Sequence, residues 1–179
     1  MTQVGTVYAQ SLYALAKDEG CSEAVLEQLK VLNECFQSEP DFLRLLSASN
    51  LSKAERCGII DSSFRGKVEP YVLNFLKILT ERGYIRYFPD CYKAYREIFN
   101  QDNGILQVVA VTAVPLTEAQ REKLSDKLNR VTGKTVELVC RIDPACLGGV
   151  RLDYDGKRVD DTVMGRLDAV RSLLQNTVL

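Results

Sequence analysis

The sequence predicts an α+β protein, an N-terminal six-helix bundle followed by a small β-α-β-β-α domain. Three observations carry that expectation. Apolar residues recur at helical spacing from Val4 to Phe99. The pattern then breaks at Asn100-Gln101-Asp102-Asn103-Gly104, a run of turn-forming residues. Beyond it, β-branched stretches flank one polar helical segment. Two domains are therefore expected, 1–104 and 105–179. With 46% apolar and 26% charged residues, both halves belong to a globular chain rather than a disordered one.

The helices follow in order. Residues 4–19 form an Ala-rich segment that stops at Gly20. Ser22 is placed to cap the next helix, whose Val25, Leu29, Leu32 and Phe36 share one face. Pro40 and Asp41 open a short helix bearing Phe42, Leu43, Leu45 and Leu46. Ser52-Lys53-Ala54-Glu55 is a capping box, in which hydroxyl and carboxylate each satisfy a free amide. The helix it starts carries Cys57, Ile59, Ile60 and Phe64. Pro70 suits a first helical turn and begins a run to Arg82, which Gly83 ends. A sixth helix from Ile85 carries Phe88, Cys91, Tyr92, Tyr95 and Phe99. In the tail, Ile105 to Val114 reads as a strand stopped by Pro115. Thr117-Glu118-Ala119-Gln120 is a second capping box, leading a helix to Val131. Thr135 to Ile142 and Leu147 to Tyr154 read as strands, Asp155-Gly156 as a turn, and Thr162 to Asn176 as the last helix.

Several functions are excluded or disfavoured. The chain contains no histidine, the usual general base near neutral pH, so Ser-His and Cys-His nucleophile pairs are absent. No Gly-x-Ser-x-Gly elbow, dinucleotide fingerprint or phosphate loop occurs, and no catalytic, cofactor-binding or metal-binding residue is expected. The six cysteines lack a Cys-x-x-Cys pair, and we expect buried, reduced thiols. Up to Gly104 there are 12 basic and 14 acidic residues, and beyond it 11 and 10, so neither half has the basic excess that phosphate neutralisation requires. No stretch is apolar enough to span a membrane, and the N-terminus lacks the charge and apolar pattern of a secretory signal.

What remains is surface. Helix 1 has two apolar stripes, Tyr8, Leu12 and Leu15 on one and Ala9, Tyr13 and Ala16 on the other. Helix 5 divides likewise: Val72, Phe75, Leu76 and Leu79 suit a core, while Tyr71, Asn74 and Ile78 fall on another face. Each second stripe is either a contact within the bundle or the wall of a groove that receives a partner helix. Leu147-Gly148-Gly149-Val150 places paired glycines in a strand-like run, which points to a bulge or a close backbone approach.

These segments resemble the F-type ATP synthase delta subunit family, which includes oligomycin-sensitivity-conferring protein. Tyr8-Ala9-Gln10-Ser11-Leu12-Tyr13-Ala14-Leu15-Ala16 is similar to its opening helix. Asn74-Phe75-Leu76-Lys77-Ile78-Leu79, Gly83 and Phe88-Pro89-Asp90 resemble its fifth and sixth helices. Val139 to Leu152 resembles the family signature, an aliphatic residue and an acid before a small residue, glycine and a strand. Asp160-Asp161-Thr162-Val163-Met164-Gly165-Arg166-Leu167 resembles its closing motif. The sequence departs at Cys146, where an aliphatic residue is usual, and at Asp161, where glycine or a small residue is common.

The resemblance implies a non-catalytic stator subunit of the peripheral stalk, linking the catalytic sector to the membrane sector for ATP synthesis coupled to proton transport. It implies alpha and beta subunits of the catalytic hexamer as partners of residues 1–104, and the b-subunit stalk as partner of residues 105–179. Tyr8, Ser11, Leu12, Asn74 and Ile78 would hold an N-terminal helix of an alpha subunit, and Gly165, Arg166 and Leu167 would meet the b stalk. The location implied is the cytoplasmic face of a bacterial membrane, reached through the complex. The competing expectation is a cytosolic adaptor with a nucleic-acid-binding α/β tail. Against it, the tail lacks the Gly-x-x-Gly clamp and strand-borne aromatics of common RNA modules. A small carboxylate enzyme would need acidic residues with raised pKa.

Overall fold

The computed structural model describes residues 2–48, 51–165 and 167. The fold is mixed α+β and divides into two compact units, Met1–Phe99 and Asn100–Leu179. The division falls inside the last turn of a helix rather than after Gly104.

The first unit contains α1 (Gln3–Asp18), α2 (Ser22–Ser38), α3 (Pro40–Leu46), α4 (Lys53–Phe64), α5 (Pro70–Glu81) and α6 (Phe88–Asp102). Local chemistry sets their ends. Ser52 accepts from the Glu55 amide at 3.2 Å, and the Glu55 carboxylate accepts from the Ser52 amide at 2.8 Å, completing the expected box. Pro40 and Pro70 occupy first turns, where no amide is needed. Ser22 does not cap: the N-cap is Cys21, which offers no side-chain acceptor, and Ser22 is already helical. Ile85–Tyr87 is a 3-10 turn, so α6 starts only at Phe88. Gly83, at φ 73°, reverses the chain between α5 and that turn.

One apolar core fills this unit. Val25, Leu29, Leu32 and Phe36 of α2 are all buried, as are Val72, Phe75, Leu76 and Leu79 of α5. The Phe36 and Phe88 rings meet edge to face at 4.9 Å, and Tyr13 and Tyr95 at 5.3 Å. The buried Tyr95 hydroxyl donates to the Ser22 carbonyl at 3.0 Å, so its polar end is satisfied. The expected short helix α3 forms, with Leu46 buried, Phe42 and Leu43 packed partly buried against the core and Leu45 exposed. A helix this short turns one residue fully inward. The cysteines also differ from expectation: Cys91 and Cys146 are buried, Cys35 is exposed and the other three are half-buried. Cys91 is the most desolvated, and its thiol is pushed up to about 12.

The second unit is a four-stranded sheet in the order β2-β1-β3-β4. Strand β1 (Ile105–Thr112) pairs in parallel with β2 (Thr135–Ile142) and antiparallel with β3 (Val150–Tyr154). Helix α7 (Glu118–Thr132) connects β1 to β2, and its second capping box is complete. Leu106, Val108 and Val136 bury against Leu128 of α7. The expected β-α-β-β-α order needs one correction, a fourth strand β4 (Lys157–Asp160) after the Asp155-Gly156 turn. Both turn residues have positive φ, 45° and 71°, as a two-residue hairpin requires. All four β4 residues are exposed, so no apolar alternation marked the strand. Of the expected last helix, Thr162 is a bend that precedes it, residues 163–165 and 167 are helical, and 166 and 168–176 lie outside the described residues.

The paired glycines precede β3 rather than lie within it, because Pro144–Cys146 form a 3-10 turn and Leu147 takes a left-handed conformation. Their role is the expected close approach. A β-carbon on Gly149 would lie 2.9 Å from Cα of Thr162 and closer still to the Asp161 carbonyl oxygen, at a φ of 82°. Gly149→Ala should therefore cost about 3 kcal/mol, from left-handed strain and overpacking together. Gly133→Ala, with φ 66° and open space around it, should cost about 1 kcal/mol. Urea denaturation of both variants measures the contrast, and equal losses would remove the packing argument.

Candidate partner-binding groove

Helices α1 and α5 run side by side and leave an open groove of 220 Å³ between them. Leu12 and Phe75, both buried, form its floor. Tyr8, Ser11 and Leu15 line one wall, and Tyr71, Asn74 and Ile78 the other. All five residues expected to hold a partner helix, Tyr8, Ser11, Leu12, Asn74 and Ile78, thus lie in one place. Leu15, Tyr71 and Phe75 complete it. Leu15 and Tyr71 belong to the stripes seen in the sequence, whereas Phe75 had been assigned wholly to the core. Leu15 is 42% exposed and Ile78 38%, so two aliphatic side chains face solvent across the groove.

The polar groups at its margin are mostly engaged. Ser11 Oγ donates back to the Val7 carbonyl at 3.1 Å, and the Tyr8 ring meets Tyr84 edge to face at 6.1 Å. Tyr71 has its hydroxyl pKa raised by desolvation and by the neighbouring Glu19 carboxylate. Lys77, next to Ile78, is turned away to Asp61 of α4 at 2.7 Å. The groove is therefore apolar, with a hydroxyl and an amide at its rim. At 220 Å³ it is smaller than an ordinary small-molecule pocket of about 300–1,000 Å³, and its length follows two helices. That shape suits a row of side chains on one helical face.

Helix α1 is set in place at its first turn. The Thr2 amide donates to Asp90 Oδ2 at 3.1 Å, and Thr2 Oγ1 accepts from the Gly5 amide at 3.4 Å. A β-carbon on Gly5 would lie 2.9 Å from the Asp90 β-carbon. These bonds to Thr2 hold the Asp90 carboxyl below the ordinary carboxylate range.

In the tail, Gly165 has a local structural reason. Asp160 Oδ1 accepts from the Thr162 amide at 2.9 Å and from its hydroxyl at 2.6 Å. Thr162 Oγ1 in turn accepts from the Gly165 amide at 3.0 Å. A β-carbon at Gly165 would sit 2.8 Å from Asp160 Cγ. Leu167 is 55% exposed, and Arg166 lies outside the described residues. The sequence reading passed over Val163 and Met164, both exposed and one helical turn before Leu167; their i, i+1, i+4 spacing was the available signal.

Among the described residues, the carboxylates with displaced titration, Glu55, Asp61, Asp90 and Asp160, all shift downward. The causes are the Ser52 amide, the Lys77 ammonium, Thr2 and Thr162 respectively. This is the pattern of caps and ion pairs, not of a general acid. Arg151 and Arg158 both meet Asp153, at 3.6 and 2.7 Å, so these two arginines share one carboxylate.

Comparison with known proteins decides the family. The model of the ATP synthase delta (OSCP) subunit family matches residues 4–174. The chain belongs to that family. It is 30% identical to ATP synthase subunit delta of Clostridioides difficile, over 96% of this chain and 95% of that one. It is 31% identical to ATP synthase subunit delta of Alkaliphilus oremlandii, over 96% of each. The fold is similar to a chain in the cryo-EM structure of the Toxoplasma gondii mitochondrial ATP synthase hexamer, with a TM-score of 0.77 at 18% identity. That likeness covers 97% of this chain and 98% of the other. As a delta subunit the chain is a peripheral-stalk component of an F-type ATP synthase, and it is structural rather than catalytic. The adaptor with a nucleic-acid-binding tail is accordingly set aside. Among the described residues, no helix is long and apolar enough to cross a membrane.

Asp90 generates a pH prediction. Its carboxyl pKa is depressed in the folded state, so the stability it contributes is present above the unfolded value. That contribution is lost as pH falls below about 4 and through the folded value. Thermal melts of wild type and Asp90→Asn from about pH 6 to about pH 3 should show a shallower acid-side decline in the variant. Parallel declines would mean that Asp90 contributes nothing to acid sensitivity.

Proposed function

We propose that the groove between α1 and α5 holds an amphipathic N-terminal helix of an alpha subunit, and that the tail holds the b-subunit stalk. On this reading the six helices act as one bundle seated on the catalytic hexamer, and residues 105–179 form the stalk-binding domain. The supporting observation is the groove itself, where Tyr8, Ser11, Leu12, Asn74 and Ile78 converge around an apolar floor. On the tail, exposed Val163, Met164 and Leu167 offer the stalk an apolar patch, while Gly165 keeps the turn beneath them closed. The subunit would then sit at the cytoplasmic face of a bacterial membrane, anchored through its partners, and couple proton flow to ATP synthesis.

Ile78→Asp should weaken binding of an alpha N-terminal peptide to the full chain by at least about a hundredfold, because it places an unpaired charge against buried apolar surface. Calorimetric titration of wild type and variant measures this, with circular dichroism verifying the fold. Equal affinities would exclude the groove.

A second prediction concerns coupling. Complexes stripped of this subunit should keep ATP hydrolysis in the detached catalytic sector and lose ATP-driven vesicle acidification. The added full chain should restore pumping. Full acidification without the subunit would contradict the stator role.

A further inference from the structure

Among the described residues, strand β2 is an edge of the sheet, with β1 on its inner side. The Thr135 amide donates inward to Gly104 at 3.1 Å, and the Asp143 amide inward to Thr112 at 2.9 Å. Odd-numbered positions therefore turn their backbone groups toward β1. By strand alternation, the amides and carbonyls of Val136, Leu138, Cys140 and Ile142 point outward. The Val136 amide is capped by Asn129 Oδ1 at 2.7 Å. Beyond that cap the edge has no proline, and its register with β1 runs without a bulge to Ile142. Ile142 is 58% exposed, and Glu137 and Arg141 are exposed on the other face. This edge lacks most of the devices that keep an edge strand from pairing.

We propose that β2 pairs antiparallel with β2 of a second copy of this chain, about a two-fold axis at Val139, a self-association that goes beyond the stalk function. The strand's own residues select both the occupant and the register. With the axis at Val139, Glu137 stands opposite the second copy's Arg141, and Arg141 opposite its Glu137. On the other face Val136 meets Ile142 and Leu138 meets Cys140, all with apolar or thiol side chains. The outward groups of Leu138 and Cys140 face each other as hydrogen-bonded pairs, and Val139 faces itself as a non-hydrogen-bonded pair. Moving the axis to Cys140 sets Glu137 against Asp143. Moving it to Leu138 leaves Glu137 against Val139 and Arg141 against Thr135, with no charge pairing. So short an edge falls below a standard interface of about 1,200–2,000 Å², and the dimer is weak and reversible.

Sedimentation equilibrium of the full chain across a concentration series tests this. Wild type should show a reversible monomer–dimer equilibrium. Glu137→Arg and Arg141→Glu should each weaken it about tenfold by setting like charges opposite one another. The double variant E137R/R141E restores opposite charges and should return association close to wild type, an outcome that general destabilisation would not produce. With diamide added as the two-electron thiol oxidant, Val139→Cys should form a dimer bridged 139 to 139 that persists on dilution and is released by a reducing thiol, since a non-hydrogen-bonded pair brings its β-carbons close. Wild type that stays monomeric while V139C forms no such bridge overturns the proposal. So does association that is equal in all the charge variants, or a bridge through Cys140 instead.

Discussion

Helix α1 lies so close to the start of α6 that Gly5 has no room for a side chain, and the groove that α1 lines further along depends on that contact. With the Asp90 β-carbon 2.9 Å from where a Gly5 β-carbon would be, the two backbones approach as closely as sterics permit. The Thr2 amide bonded to Asp90 fixes the same turn from its N-terminal end. Ala9, Leu12, Tyr13 and Ala16 then enter the core, two of them small enough to keep α1 low against its neighbours. This leaves Tyr8 and Leu15 at the groove's edge rather than inside the core. A larger residue at Gly5 would lift the first turn and change the groove without touching any residue that lines it. Packing at the first turn of a helix thus sets the geometry of the groove further along it.

The tail uses the same economy with backbone instead of helices. Gly149 lets the start of β3 pass against Asp161 and Thr162, and Gly165 lets the following helix begin against Asp160. Between these two approaches, Asp160 and Thr162 satisfy each other and the Gly165 amide within one turn. The family's signature and closing motif, separate in sequence, therefore form one structural knot. That knot brings Val163, Met164 and Leu167 to the surface together.

Helical spacing and caps made most of the first unit legible. The faces of α2 and α5 were read correctly because a buried helix advertises its stripe at i, i+3, i+4. The groove residues were legible as a surplus, apolar positions left over after one core-facing stripe was assigned. Phe75 was missed because a residue that floors a groove also looks like core. Strand β4 was missed because its four exposed residues bury nothing, and periodicity reports burial rather than hydrogen bonding. The Asp155-Gly156 turn was the signal that could have found it. The Gly148-Gly149 pair was assigned the right physics in the wrong element, since close approach needs the second partner, Thr162, which only the fold supplies.

A stator has to resist torque, and resistance comes from contacts that do not yield rather than from chemistry. Two interfaces of ordinary size, each about 1,600 Å², can give nanomolar binding, about −12 kcal/mol. Affinity alone is not stiffness, however. A groove that closed only on its ligand would spend binding energy on ordering its walls and would flex under load. Here the walls are already in place. Leu12 and Phe75 are buried by the bundle's own packing, Lys77 is held away from the groove by Asp61, and α1 is fixed at its first turn by Gly5 and Asp90. Walls set by the bundle's own packing would let binding energy go into holding a partner in the proposed site, which is the property a torque-bearing joint needs and a catalyst does not.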